Sequence, residues 1–362
     1  MPERLPRIVL VVLVAAGLTV TIAGMRAMAG IVGPAMLALV LTISVHPLRA
    51  PLRRRRLPEW AVSLVLVVLV YAILLAIVVA LVVALAQLAT ILPQYASEIQ
   101  DDLKSASAWL SDHGVGSTQA SAMADALNTG QLVTLITELF GAILSVASNL
   151  FFIITVALFM AFDTTSTQKV FAHLHETKPD LVDALRHYAH VTRVYMAVTT
   201  IFGLIVAVID GLALWLMDVP GAFVWAVLAF VTNFIPNVGF VIGVIPPAII
   251  GLLDGGVSQM LAVLAVYSVI NVVIQSIIQP RVVGDNVGLT PTITMLSLVF
   301  WGWAIGALGA LLAVPLTLAM KSVLIEADPS ARWVLPVISG RLPRPEDEPG
   351  EAVAAAVPTH RA

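Results

Sequence analysis

The chain has 362 residues, 59% of them hydrophobic and 11% charged, with a formal net charge of -3 and no cysteine. The charged share is less than half the usual ~25% and the mean hydropathy is +0.99. This excludes an ordinary soluble domain, because so little polar surface cannot cover so much apolar side chain. Absence of cysteine excludes disulfides, thiolate metal sites and cysteine nucleophiles, and absence of strand-like alternation excludes a β-barrel.

What remains is an all-α polytopic integral membrane protein. The first apolar run, 8–25, follows Arg4 and Arg7, as the start of a signal peptide would. A second run, 30–45, follows at once and must cross back, so the pair reads as a hairpin. The loop 46–56 holds His46, Arg49, Arg53, Arg54, Arg55 and Arg56. Loops this rich in cations stay cytoplasmic, and the N-terminus with them.

The third run, 60–87, opens at Trp60, and its helical pattern continues past the membrane. Leu92, Ile99 and Ala106 alternate with Ala96, Leu103 and Leu110 at heptad spacing, while Glu98, Asp101, Asp102 and Lys104 take the other face. Gly114 and Gly116 end that helix. A weaker amphipathic pattern follows at Met123, Leu127, Leu132, Leu135 and Leu139. This outer helical excursion, 93–138, has Lys104 as its only basic residue, as a translocated segment should. Its helices either meet another subunit in coiled-coil-like contact or pack on each other.

The run 140–162 returns the chain to the cytoplasm, where the polar helical loop 163–193 carries Lys169, Lys178, Arg186 and Arg193. Pro179 suits a first helical position, with Asp180 and Asp183 in a favourable first turn. Asp183, His187 and His190 share a face and have zinc-ligand chemistry, but a solvated cytoplasmic helix is the simpler account. No metal and no other cofactor is expected.

The run 194–217 leads outward and contains Asp210. An ionised carboxylate at a helix centre costs about 2.5–3.5 kcal/mol on insertion scales. Asp210 must therefore be protonated, paired with a cation or wetted, which makes it the candidate ion-coupling residue. No basic residue lies inside another span; Arg26, near the outer end of the first helix, is the nearest candidate partner. An Asp wetted near the outer surface is the alternative. Thr199, Gly203, Ala207 and Gly211 give the same helix a small-residue face of the kind used for close packing.

The runs 222–232 and 240–253 flank the break Asn233-Phe-Ile-Pro236-Asn237-Val-Gly239. Both are shorter than the roughly 20 residues of a full crossing, which predicts a hairpin of half-helices, or two short crossings, entered from outside. Pro236 removes a backbone donor and leaves carbonyls free for an ion or solute, with Asn233 and Asn237 bracketing it. A purely structural kink is the other reading. Broken helices at membrane depth are tolerated only where protein or a water-filled cavity surrounds them, so 233–315 is the expected translocation region.

On the next run, 257–278, Tyr267, Asn271 and Gln275, with Gln279 just beyond, recur every four residues as one stripe. Amides donate and accept, so the stripe could coordinate a cation or a polyhydroxylated solute. Alternatively it joins helices, at an average of about 0.6 kcal/mol per bond. Arg281 follows at the cytoplasmic end. The run 292–320 is broken at 302–306, and Lys321, Arg332, Arg341 and Arg344 lie beyond it. Positive-inside bias makes this a hairpin or a pair of crossings. All 19 basic residues except Arg26 and Lys104 are then cytoplasmic. The membrane segments thus include broken or re-entrant helical hairpins. One permease domain, 1–340, precedes a tail, 341–362, whose Pro, Glu and Ala content predicts cytoplasmic disorder. No P-loop, HExxH or GxSxG occurs, so no enzymatic activity is expected and a gradient is the expected driving force.

Ile235-Pro236-Asn237-Val-Gly239, Pro246-Pro247, Gln279-Pro280-Arg281-Val-Val-Gly284, Val287-Gly288-Leu289-Thr290-Pro291 and Gly306-Ala-Leu-Gly309-Ala-Leu-Leu-Ala313-Val-Pro315 together resemble the autoinducer-2 exporter (AI-2E) family of permeases. The resemblance covers about 8–326. Family members often have an aromatic residue where Asn237 stands and a proline near Phe240, which alters the polarity expected of the pocket. The resemblance implies a multi-pass protein of about eight membrane segments in the bacterial inner membrane, in contact with the lipid bilayer, assembled as a homo-oligomer and independent of nucleic acid. It implies export of a small polar metabolite or quorum-sensing signal, or sodium(lithium)/proton antiport; a membrane scaffold without transport is the third reading. The expected pathway residues are Asp210, Asn233, Pro236, Asn237, Tyr267, Asn271, Gln275, Gln279 and Arg281.

Overall fold

The computed structural model describes residues 6–54, 58–91, 129–236, 238–279 and 288–340, and all of its regular elements are helical. Four helices are long and apolar enough to cross a membrane, and four shorter apolar ones accompany them among the described residues. Of the outer excursion expected over 93–138, residues 129–138 belong to a described helix, whereas the rest of it beyond 92, and the tail from 341, lie outside the described residues.

α1 (Arg7–Ala27) and α2 (Ala29–Val45) form the expected hairpin, joined through Met28. A 3-10 turn and α3 (Arg49–Arg54) lead to α4 (Glu59–Ile91). α5 (Thr129–Phe162) is longer than the apolar run within it, because no breaker separates that run from the preceding amphipathic residues. α6 (Thr164–Thr177) precedes α7 (Pro179–Leu216), which starts with proline at its first turn as expected. The expected boundary at 194 does not exist. α7 continues for 38 residues, about 57 Å of helix, well beyond a hydrocarbon layer of ~30 Å.

Two broken hairpins follow. α8 (Ala222–Thr232) and α9 (Gly239–Asn271) flank the Pro236 turn, and α9 kinks at Gly256 (φ 73°, ψ -168°). The Gln259 amide donates to the Met217 carbonyl at 2.9 Å, so the chain has returned at that kink to the level where α7 ended. A π-helical segment (Val272–Ile278) continues α9. α10 (Pro291–Ile305) turns at Gly306 (φ 79°) into α11 (Ala307–Leu311) and then α12 (Ala313–Lys321). Gly302, expected to take part in that break, lies inside α10; the reversal belongs to Gly306. A Cβ on Gly309 would stand 2.0 Å from the Trp301 carbonyl oxygen, and the Trp301 indole donates to Thr317 Oγ1 at 3.0 Å. A second π-helical segment (Ser322–Glu326), a 3-10 turn and α13 (Leu335–Ser339) complete the described chain.

Two apolar cores result. The larger joins α2, α4, α5, α10 and α12 around Val40, Leu74, Ile153, Trp301 and Leu312. The second joins α7, α8 and α9 around Leu214, Trp225, Val263 and Tyr267, with Ala84 of α4 at its edge. The polar groups of interest lie on the α7–α8–α9 side.

Candidate functional site

Close approach of α7 and α8 creates the site. A Cβ on Gly211 would be 2.8 Å from that of Ala226, and one on Gly203 would be 2.7 Å from Asn233 Nδ2. The small-residue face of α7 thus does more than pack, because Gly203 makes room for a polar side chain. Asn233, which caps the C-terminal end of α8, donates from Nδ2 to the Thr199 carbonyl at 3.0 Å and accepts at Oδ1 from Gln275 Nε2 at 2.9 Å. One carboxamide therefore joins α7, the tip of the first broken hairpin and the π-helical segment.

Above this bridge is a cavity of about 20 Å³ lined by Asp210, Thr232, Asn233, Tyr267, Asn271 and Gln275 with Val206, Ala229, Phe240 and Gly243. It is roughly the size needed for one water. Asp210 is 3% exposed and Tyr267 2%, so Asp210 is not a carboxylate wetted at the surface. Asp210 Oδ1, the Tyr267 hydroxyl and Asn271 Oδ1 have no hydrogen-bond partner. Buried polar atoms are paired in the great majority of cases. Three orphans around one cavity are the mark of a site whose occupant supplies the missing partners. Two of the three accept only, and the phenol can donate or accept; the set suits a proton carrier or a small cation. A π-helical segment begins at Val272, between Asn271 and Gln275, which both line the cavity; such turns recur at functional sites.

Of the expected pathway residues, the structure brings Asp210, Asn233, Tyr267, Asn271 and Gln275 together. Gln279 ends the described segment and does not line the cavity. Asn237 and Arg281 lie outside the described residues. Pro236 does not line the cavity either. The carbonyls expected to be free at the break are reused: that of Pro236 accepts from Val238 at 2.7 Å, that of Ile235 from Gly239 at 3.0 Å and that of Thr232 from Ile235 at 2.8 Å. Pro236 shapes the turn that presents Asn233. Arg26 is not the partner of Asp210 either; its guanidinium stacks 4.8 Å above the Trp303 ring. Among the described residues no cation pairs with Asp210. Asp183, His187 and His190 share a helical face, but Asp183 faces His175 and Arg186 while His187 faces Glu326.

Sequence reasoning named Thr199 only for its small side chain, whereas its backbone carbonyl is the anchor, a role no side-chain pattern signals. It missed Thr232 as a wall of the cavity, although its place next to Asn233 was an available signal.

Comparison with known proteins identifies the family of the chain. The model of the AI-2E family transporters matches residues 8–327. The AI-2 transport protein TqsA of Escherichia coli (strain K12) is 32% identical over 312 residues, 85% of this chain and 89% of TqsA. YhhT of the same organism, named as a candidate transport protein, is 31% identical over 317 residues, 84% of this chain and 87% of its own. A similarly named protein of Haemophilus influenzae is 27% identical over 325 residues, 88% of this chain and 93% of its own.

Proposed function

The chain belongs to the AI-2E family of membrane transporters, and on that premise we propose that it exports a small polar metabolite or signal by coupling to an ion gradient, with Asp210 as the coupling group. The observation that carries this reading is the orphaned Asp210 Oδ1 beside the equally orphaned Tyr267 hydroxyl and Asn271 Oδ1 around one cavity. A carboxyl without a cation partner stays buried by holding a proton, taking up a cation or being wetted by its cavity, and any of these readies it for exchange. An exported solute then draws on whichever gradient recharges that group. The name of TqsA puts autoinducer-2 first among the solutes to test.

Sodium(lithium)/proton antiport is the second reading, favoured by the cavity volume of about 20 Å³, which suits an ion better than a metabolite. A scaffold would keep orphaned polar atoms at a cost in stability with no return in activity. In the proposed setting the protein is a homo-oligomer of the bacterial inner membrane with both termini cytoplasmic, a topology supported by the distribution of basic residues.

The test is purified protein in liposomes, assayed in parallel for efflux of small polar solutes and for sodium- or lithium-dependent proton movement. Efflux that stops when ionophores collapse the gradients supports the first reading. Cation/proton exchange without solute movement supports the second. Efflux indifferent to every gradient, or neither activity, overturns the coupling proposal.

A further inference from the structure

Five buried side-chain polar atoms lack a hydrogen-bond partner among the described residues. Three surround the cavity. The other two, the Tyr188 hydroxyl and Thr192 Oγ1, lie on the same helix as Asp210. Their positions are not independent of the site. Tyr188, Thr192, Tyr195, Thr199, Gly203, Val206 and Asp210 follow one another on α7 in steps of three or four residues, so all lie along one face. Thr192 is fully buried, Thr199 is 4% exposed and Tyr188 is 6% exposed. The face runs from Tyr188 to Asp210 over 22 residues, roughly 33 Å of helix and close to the ~30 Å of a hydrocarbon layer.

The stripe is connected at both ends. At one end the Thr199 carbonyl holds Asn233, and Asn233 holds Gln275 beneath the Asp210 cavity. At the other, Tyr188 packs with Leu318 of α12, one turn before Lys321. There Lys321 Nζ lies 3.1 Å from Glu326 Oε1, with Lys321 8% and Glu326 14% exposed. Ser322 Oγ donates to Glu326 Oε2 at 2.9 Å, and His187 Nε2 stands 3.9 Å from Oε1. Arg332 donates to the Glu326 carbonyl and pairs with Asp180 on the outer rim of the cluster. The Glu326 carboxylate thus sits between the buried end of the stripe and the exposed His187 imidazole, where the path can open to water.

The geometry points to a proton path along this face of α7, from the Asp210 carboxyl past Asn233 and Thr199 to the Thr192 and Tyr188 hydroxyls and out at Glu326. This rests on the reading of Asp210 as the coupling group, and on the expected topology it leads to the cytoplasm. Each hydroxyl donates one proton and accepts one, so a displaced chain of hydrogen bonds, completed by water between the side chains, leaves the hydroxyls unchanged. The net transfer is one proton from Asp210 to Glu326 and then to cytoplasmic water. The carboxylate left at Asp210 is neutralised by the next proton or cation entering from the Leu216 end.

The test uses the full chain in liposomes with a pH-sensitive dye inside, comparing wild type with Tyr188→Phe, Thr192→Val, their double variant, Glu326→Gln and Asp210→Asn. The two hydroxyl deletions keep shape and remove no contact beyond that between Tyr188 and Thr192 themselves, so the thermal midpoint should stay close to wild type. Proton movement should fall by roughly tenfold or more in each and further in the double variant, because relay groups typically contribute at least that much. Glu326→Gln should slow release in the same assay. Wild-type rates in the double variant, or a lowered midpoint showing that the hydroxyls hold the fold, would overturn the path. If Asp210→Asn abolishes proton movement while the hydroxyl variants are unaffected, the path alone is wrong. If Asp210→Asn is itself wild type, the coupling reading fails first.

Discussion

Gln275 donates to Asn233 across 2.9 Å, and this one bond ties the π-helical segment to the tip of a broken hairpin. It also decides between two meanings of the carboxamide stripe, because Gln275 both joins helices and lines the Asp210 cavity. Replacing it by leucine removes the donor and leaves Asn233 Oδ1 unpaired. Such bonds within membranes are worth about 0.6 kcal/mol on average and at most ~1.7. Gln275→Leu should therefore shift the thermal midpoint slightly while lowering transport severalfold. A large loss of stability with normal transport in the surviving protein would make the bond structural only.

Gly203 faces Asn233 so closely that an added Cβ would lie 2.7 Å from Nδ2. Gly203→Ala should push the amide off the Thr199 carbonyl, costing about 1–3 kcal/mol as overpacking does, and should impair transport together with stability. Thermal unfolding and flux measured on one preparation check this; unchanged values in both would place Asn233 elsewhere.

The Pro236 turn separates two effects. Gly239→Ala drives a Cβ to 1.9 Å from the Thr232 carbonyl oxygen, a backbone atom that cannot yield, so assembled protein should be lost or strongly destabilised. Pro236→Ala restores a backbone donor and should leave assembly intact while transport drops, because the turn that presents Asn233 relaxes. Normal flux in Pro236→Ala would reduce the proline to packing.

The second hairpin offers an internal control. A Cβ on Gly302 meets only Ala310 at an ordinary 3.6 Å, whereas one on Gly309 would strike the Trp301 carbonyl at 2.0 Å. Gly302→Ala should be near neutral, or stabilising by up to about 1 kcal/mol through helix propensity. Gly309→Ala should not assemble. Size-exclusion profiles and unfolding midpoints distinguish them.

Much of this architecture was legible because hydrophobic run length and punctuation by proline and glycine are local signals. The hairpin of α1 and α2, the proline start of α7 at Pro179 and the break after Thr232 follow from them. The convergence of Asp210 with Tyr267, Asn271 and Gln275 was legible only as a carboxyl on one helix and a polar stripe on another. Their meeting depends on how α7, α8 and α9 pack, which periodicity does not reveal. The pairing of Arg26 with Trp303 escaped for the same reason, since a sequence shows charge at a given depth but not the ring beneath it. The closure of carbonyls around Pro236 escaped because a proline predicts a missing donor, not where neighbouring amides turn.

The claim at the centre of this account is that Asp210 exchanges the coupling ion. Asp210→Asn preserves shape and removes titration, so the direct measurement is sodium- or lithium-dependent proton movement in liposomes bearing the variant or wild type at equal density. The account predicts that the variant loses this movement, and with it any gradient-driven solute efflux, while assembling normally. Wild-type cation/proton exchange in the asparagine variant would contradict it.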